Sequence, residues 1–250
     1  MMGSRAGIGI GLTILAFLTV CLTGQPLAAQ PQAARVTASQ VENSIEQAVR
    51  FLLANQLDDG GWPEYSATYP DGVAALVTLA LLNGGVDPAQ PKLSKALQYL
   101  SGRELHKTYT VALQTMALCA ANPNKYANQI RRNAEWLSRA QLGNGGWSYD
   151  ANLGGGGDPS NSQFALLALH EAQRSGVANF PADTWRTVFG RAQQYWEGLQ
   201  NRDGSFPYES RGTGRGSMTC AGIASLVIVG AQLDGLQPKA LDSVICCGAD

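Results

Sequence analysis

The sequence has little charge, few histidines and few cysteines. Only 15% of its 250 residues are charged, and the net charge is −1. A protein that binds nucleic acid needs a basic surface, so this charge balance excludes that class of partner. The two histidines, His106 and His170, stand alone, and the five cysteines lack the spacing of a zinc knuckle or a disulfide framework. We therefore expect no metal and no cofactor.

The N-terminal apolar run is too short to cross a membrane. It occupies residues 8–22, whereas a membrane-spanning helix needs roughly 18 or more apolar residues. Arg5 precedes the run and small residues up to Ala29 follow it, which is the pattern of a secretory signal peptide. We expect residues 1–29 to be removed on export to the periplasm, cell envelope or extracellular space, and residues 30–37 to form a disordered leader. A membrane anchor and a lipid-modified Cys21 remain as alternatives.

The sequence does contain a seven-residue motif that recurs. Residues 56–62 are QLDDGGW, residues 141–147 are QLGNGGW, and residues 200–206 are QNRDGSF. Glycine permits a positive φ, and a glutamine side chain can bind the carbonyl groups left free at a helix end. The two tryptophans are 85 residues apart, which fits two repeats of about 42 residues, a period typical of stacked helical units. The motif positions are Gln56, Gly60, Gly61, Trp62, Gln141, Gly145, Gly146, Trp147, Gln200, Gly204 and Phe206.

The pattern Gln-x-x-x-Gly-Gly-Trp resembles the QW motif of squalene and oxidosqualene cyclases. It also resembles the internal repeat of protein prenyltransferase β subunits. The resemblance covers about residues 38–245, nearly the whole mature chain. It implies an all-α fold, an α/α toroid in which outer and inner helices alternate around a central apolar cavity.

Hydrophobic spacing predicts four pairs of helices in this region. The outer helices are predicted to be amphipathic. The first begins at a capping box of Ser39 and Glu42, the second begins near Pro91, and the third and fourth cover 126–141 and 182–200. The inner helices, apolar on nearly all sides, are predicted at 73–82, 109–121, 161–172 and 217–231. Residues 239–247 fit the first turns of a fifth outer helix. We expect the domain, residues 38–250, to be incomplete at its C-terminus or to close its ring with a partner or with itself.

The catalytic groups of both resembled families are missing. The resemblance to cyclases implies an Asp-x-Asp-Asp acid, which does not occur here, and we expect Asp58 and Asp59 to be solvated carboxylates of the motif turn. The resemblance to prenyltransferases implies zinc held by an Asp, a Cys two residues later and a distant His. The matching segment is 158–160, Asp-Pro-Ser, and a hydroxyl is a poor zinc ligand. The sequence therefore favours binding over catalysis.

Polar side chains recur at the starts of the inner helices. The commoner role of such residues is to cap the helix. The alternative is a ring of groups at the cavity mouth, where the positive helix ends would bind an anionic head group. Together with two inner-helix aromatic residues, the candidate ligand-binding residues are Asp71, Tyr109, Thr110, Asp158, Asn161, Phe164, Ser217 and Thr219.

These observations predict a secreted toroid similar to terpenoid cyclases and prenyltransferases. It would bind an isoprenoid-like or other apolar ligand, or a protein partner. The alternative is a terpene cyclase of the squalene-hopene type, or a prenyl-transferring enzyme, with its catalytic residues in a missing segment. A third hypothesis, a polysaccharide lyase, would require Arg or Lys at the cavity, and the inner helices offer almost none.

Overall fold

The computed structural model describes residues 36–64, 67–151, 155–209 and 212–234. The chain divides into two compact units, residues 1–42 and 43–250. Within the described ranges the regular elements are α-helices, which confirms the predicted all-α fold class. They are α1 (Ala38–Ala54), α2 (Gly72–Asn83), α3 (Pro91–Ser101), α4 (Thr108–Ala121), α5 (Ala127–Ala140), α6 (Pro159–Arg174), α7 (Ala182–Leu199) and α8 (Gly216–Asp234). The predicted signal peptide, most of the leader and the predicted fifth outer helix lie outside the described residues.

The N-terminal unit is described from residue 36, just before α1 begins. The Thr37 hydroxyl accepts a hydrogen bond from the Gln40 N–H at 3.2 Å, and Gln40 Oε1 accepts one from the Thr37 N–H at 2.9 Å. This reciprocal pair is a capping box, with glutamine in place of glutamate. The predicted box of Ser39 and Glu42 is wrong, because both residues already lie inside the helix.

In the second unit the even-numbered helices contact one another in chain order. Helix α2 packs against α4, α4 against α6, and α6 against α8. Helices α3, α5 and α7 each pack against the even-numbered helices beside them. This arrangement follows from the sequence, since α2, α4 and α8 are apolar on nearly all sides and must be covered, whereas α3, α5 and α7 keep a polar face for water. Helix α8 is also long and apolar enough to span a membrane, a property that core helices share.

Helix α4 is buried along most of its length, and its polar side chains are satisfied there. The Gln114 Nε2 donates to the Leu100 carbonyl at 2.6 Å and to the Arg103 carbonyl at 3.0 Å. Its Oε1 accepts a hydrogen bond from the Asn133 Nδ2 at 2.8 Å. One glutamine therefore satisfies free carbonyl groups at the end of α3 and also binds α5.

The three motif segments form the same turn. In each, the glutamine Nε2 donates to the carbonyl oxygen of the residue four positions later. These pairs are Gln56–Gly60 (3.0 Å), Gln141–Gly145 (2.9 Å) and Gln200–Gly204 (3.0 Å). The glycine of each pair has a positive φ, at 101°, 91° and 86° in chain order. Residues with a Cβ rarely adopt this conformation, so the turn depends on glycine at that position.

The first two turns also bind the helices before and after them. The indole N–H of Trp62 donates to the Leu52 carbonyl at 2.8 Å, and that of Trp147 donates to the Leu137 carbonyl at 2.7 Å. The same glutamines make a second bond to the next odd-numbered helix: Gln56 to Lys92 O (2.9 Å) and Gln141 to Val188 O (3.0 Å). Each of these turns therefore fastens successive odd-numbered helices to each other.

Candidate functional site

A cavity of about 760 Å³ lies between the end of α1, the starts of α2, α4 and α6, and the loops that precede α2, α6 and α8. This volume is in the range of small-molecule sites, roughly 300–1,000 Å³. Its walls are mainly apolar. The aromatic side chains that line it are Phe51, Trp62, Tyr69, Tyr109, Tyr149 and Tyr208.

The aromatic rings are held by contacts with one another. The ring centroids of Tyr69 and Tyr149 are 6.4 Å apart. Tyr109, from the first turn of α4, meets Phe164 of α6 edge-on at 4.7 Å. Such tilted and edge-on pairs are favourable because the positive edge of one ring faces the negative face of the other. These contacts fix the orientation of the aromatic side chains and leave the cavity beside them open.

Asp158 is the buried acid of the cavity. It precedes α6, and its Oδ1 accepts hydrogen bonds from the backbone N–H of Asn161 (2.7 Å) and from the Asn161 Nδ2 (2.9 Å). Its Oδ2 accepts a hydrogen bond from the Tyr208 hydroxyl at 2.9 Å. Asp158 and Tyr208 also line a second, smaller cavity of about 300 Å³. The carboxylate is thus arranged as a hydrogen-bond acceptor that ties the start of α6 to the loop after the third motif turn.

Three cavity tyrosines, Tyr69, Tyr109 and Tyr208, stay protonated at neutral pH. Hydrogen bonds with Tyr149 and Asp158, together with burial, raise the pKa of Tyr208. Burial raises the pKa of Tyr109, and burial followed by the neighbouring Tyr149 raises the pKa of Tyr69. Because the ordinary phenol pKa is already about 10, these groups present neutral hydroxyls and aromatic faces to whatever enters.

The charged groups on the cavity wall are acids. They are Asp158 and Glu64, whose Oε2 accepts a hydrogen bond from the Val73 N–H at 3.2 Å. Lys107 lies near Tyr69, but its ammonium group is paired with Asp150 at 3.0 Å. The cavity therefore combines aromatic faces with negative charge.

Three of the residues proposed from the sequence line this cavity: Tyr109, Asp158 and Asn161. Asp158 also caps α6 as expected. Asp71 stands at the N-cap position of α2, as expected, but it has a positive φ of 60° and its side chain makes no capping bond. Its carboxylate instead accepts a hydrogen bond from the Tyr99 hydroxyl and pairs with Arg103 at 3.5 Å.

The other proposed residues are placed away from the lining. Thr110 is fully buried, and its hydroxyl donates to the Lys107 carbonyl at 3.1 Å. Phe164 does not line the cavity but packs edge-on against Tyr109, which does. Ser217 is exposed, and Thr219 Oγ1 accepts a hydrogen bond from the Phe206 N–H at 3.1 Å. Their part in ligand binding stays a prediction.

The lining tyrosines that sequence reasoning missed are in loops. Tyr69, Tyr149 and Tyr208 lie outside the helices, where no hydrophobic period marks them. One signal was available. Tyr149 and Tyr208 each stand two residues after the motif aromatic, at equivalent positions of the second and third turns.

No metal centre can be assembled from the described residues, which contain no group of three His, Cys, Asp or Glu side chains suited to an ion. His170 makes a 2.8 Å contact with Gln232, and burial lowers its pKa. Burial likewise raises the pKa of the Cys119 thiol to about 12, so this cysteine is an unreactive thiol at neutral pH.

Comparison with curated proteins shows a distant similarity. No family model matches the chain. The chain is 29% identical over 147 residues to drimenyl diphosphate synthase of Streptantibioticus cattleyicolor. The aligned part is 51% of this chain and 27% of that synthase, so the chain spans about a quarter of the length of the curated relative that it matches. The all-α chain is thus distantly similar to a terpene-cyclase-type enzyme.

Proposed function

We propose that this protein is a terpenoid-cyclase-like helical repeat protein whose cavity binds an isoprenoid-like apolar ligand. The observation that carries the proposal is the 760 Å³ cavity walled by six aromatic side chains. Branched, unsaturated hydrocarbon chains pack well against aromatic faces, and their burial is favourable by about 25 cal/mol per Å². The distant similarity to drimenyl diphosphate synthase supports the same class of ligand.

The proposal includes the toroid. Its support is the order of contacts, with α2, α4, α6 and α8 each packed against the next, and the recurrence of one turn geometry at the three motif segments. Export through the predicted signal peptide also belongs to the proposal. So does a protein partner, or a second copy of the chain, that closes the ring.

A titration with farnesol tests the proposal, with the heat of binding measured by calorimetry as the readout. Leu76 lines the cavity but is 46% exposed, so the change Leu76→Trp adds bulk at its wall without entering the core. We expect the unmodified protein to bind farnesol and Leu76→Trp to bind at least tenfold more weakly, because the added indole occupies the space. Ile223→Trp on α8 is the matched control, since Ile223 is 57% exposed and lies outside the cavity lining. Equal binding by all three proteins, or none by any, contradicts the proposal.

The alternative is an enzyme that cyclises or transfers isoprenoids with catalytic residues supplied outside this chain. The similarity to a synthase favours it. Within this chain Asp158 is placed as an acceptor of three hydrogen bonds and not as a proton donor. Incubation with squalene and with farnesyl diphosphate, followed by mass spectrometry of the extract, would reveal cyclised or transferred products. We expect unchanged substrate from this chain alone.

A further inference from the structure

The charged side chains on the cavity wall are both acids, whose carboxyl groups can accept hydrogen bonds from a ligand. We propose that the ligand it selects carries a protonated amine at the end of its apolar chain, and not an anionic head group such as a diphosphate. The inference rests on the proposed function, and names the class of head group that the same cavity accepts.

The first step is charge. The acidic side chains on the wall are Glu64 and Asp158, and no lysine or arginine stands among the lining residues that the structure describes. Lys107, near Tyr69, is paired with Asp150. An anion entering this space would face two carboxylates, which outweigh the partial positive charge of about half a unit at each of the three helix starts, whereas a cation would meet a net negative charge.

The second step is hydrogen bonding. Asn161 is only 5% exposed and lines the cavity. Its Nδ2 is fixed towards the Asp158 carboxylate, which can only accept, so the amide orientation is determined. The Asn161 Oδ1 is then a buried acceptor without a hydrogen-bond partner. Because this oxygen has less than 1 Å² of exposed area, a ligand cannot reach it, and the acceptors that the wall offers to ligand N–H groups are the carboxylates of Glu64 and Asp158.

The third step is the aromatic wall. Tyr69, Tyr149 and Tyr208 line the same cavity as Asp158; Tyr149 is in ring contact with Tyr69, and the Tyr208 hydroxyl donates to Asp158. Aromatic faces attract a cation through the ring quadrupole, and the attraction is stronger when the cation is removed from water. An ammonium group has three donors in a compact volume and so can use the acceptors and the ring faces together.

The test compares three ligands with one tail and different heads: farnesylamine, farnesol and farnesyl diphosphate. Titration of the full-length protein below the micellar concentration of each, by calorimetry at neutral pH, gives the three dissociation constants. We expect farnesylamine to bind at least tenfold more tightly than farnesol, and the diphosphate to bind more weakly than farnesol.

Two substitutions locate the head group. Asp158→Asn keeps the shape of the side chain and Glu64→Gln changes an exposed group at the rim, so the second stays informative if the first fails to fold. We expect either one to reduce the preference for the amine over the alcohol by at least threefold, because each removes one negative charge from the wall. Glu104→Gln is the matched control, because Glu104 is an exposed acid outside the cavity lining.

The possible results separate this inference from the proposed function. If farnesol binds but the amine binds no better, or the diphosphate binds best, the amine inference is overturned and the apolar site stands. The same holds if the amine binds best but neither substitution alters its preference. If none of the three ligands binds, both proposals fail.

Discussion

The turns at 141–147 and 200–206 have the same internal hydrogen bonds but different surroundings. Gln141 reaches forward to the Val188 carbonyl, and Arg191 reaches back to the Leu142 carbonyl at 2.5 Å, so α7 encloses the turn. Gln200 keeps its bond to Gly204, but no described residue comes within 4 Å of the position that a Cβ on Gly204 would take. The geometry of the turn is therefore set within the motif, since it forms with and without a helix packed against it.

Two separate constraints favour glycine at the fifth motif position, which is occupied by Gly60, Gly145 and Gly204. A positive φ requires it in every copy, while close approach of the next helix requires it only where that helix is packed. A Cβ on Gly145 would lie 1.9 Å from the Arg191 carbonyl oxygen, and one on Gly60 would lie 2.8 Å from the Lys95 carbonyl oxygen. A Cβ on Gly204 would meet nothing within 4 Å in the described part of the chain. Alanine at the three positions should therefore cost three different amounts of stability.

Gly145→Ala should have the largest effect. The new methyl group meets the backbone of α7, which cannot move as a flexible side chain can, and the alanine must also adopt a φ near 91°. We expect a loss of about 4 kcal/mol in the free energy of unfolding. Urea denaturation followed by circular dichroism measures it. A loss below about 1 kcal/mol would mean that α7 does not pack on this turn.

Gly60→Ala should have an intermediate effect. Its methyl group would be too close to Lys95 O, but by less than at Gly145, so a small shift of α3 can relieve the contact. We expect a loss of about 2–3 kcal/mol, measured in the same way. Gly85→Ala is the matched control, since Gly85 has a φ of 81° and open space around it, and it should show the cost of the conformation alone. Equal losses at both positions would contradict the contact with α3.

The helices could be predicted from the sequence because their signal is local. Helix α4 was predicted at 109–121 and runs from 108 to 121, since an apolar run and flanking turn residues define it without outside information. The motif turns could be predicted for the same reason. Their glycines and the Gln side chains act within seven residues of sequence.

The cavity could be predicted only in part, because most of its wall depends on contacts between distant segments. Tyr109 and Asn161 were found because they begin helices that were already recognised. Tyr69 and Tyr208 lie in loops, and only the packed chain brings them to the same space. Asp71 shows the same limit, since its partner Tyr99 is 28 residues away and replaces the local capping bond that its position suggested.

Gly204→Ala should have the smallest effect of the three. The methyl group has open space among the described residues, so the cost is that of holding alanine at a φ of 86°, about 1 kcal/mol. Urea denaturation of this variant beside Gly145→Ala tests whether the two turns differ as their surroundings do. A loss at Gly204 as large as that at Gly145 would mean that, in solution, another part of the chain or a second molecule packs on the third turn as α7 packs on the second. The same denaturation repeated over a range of protein concentrations would then distinguish these two, because only a second molecule makes the loss depend on concentration.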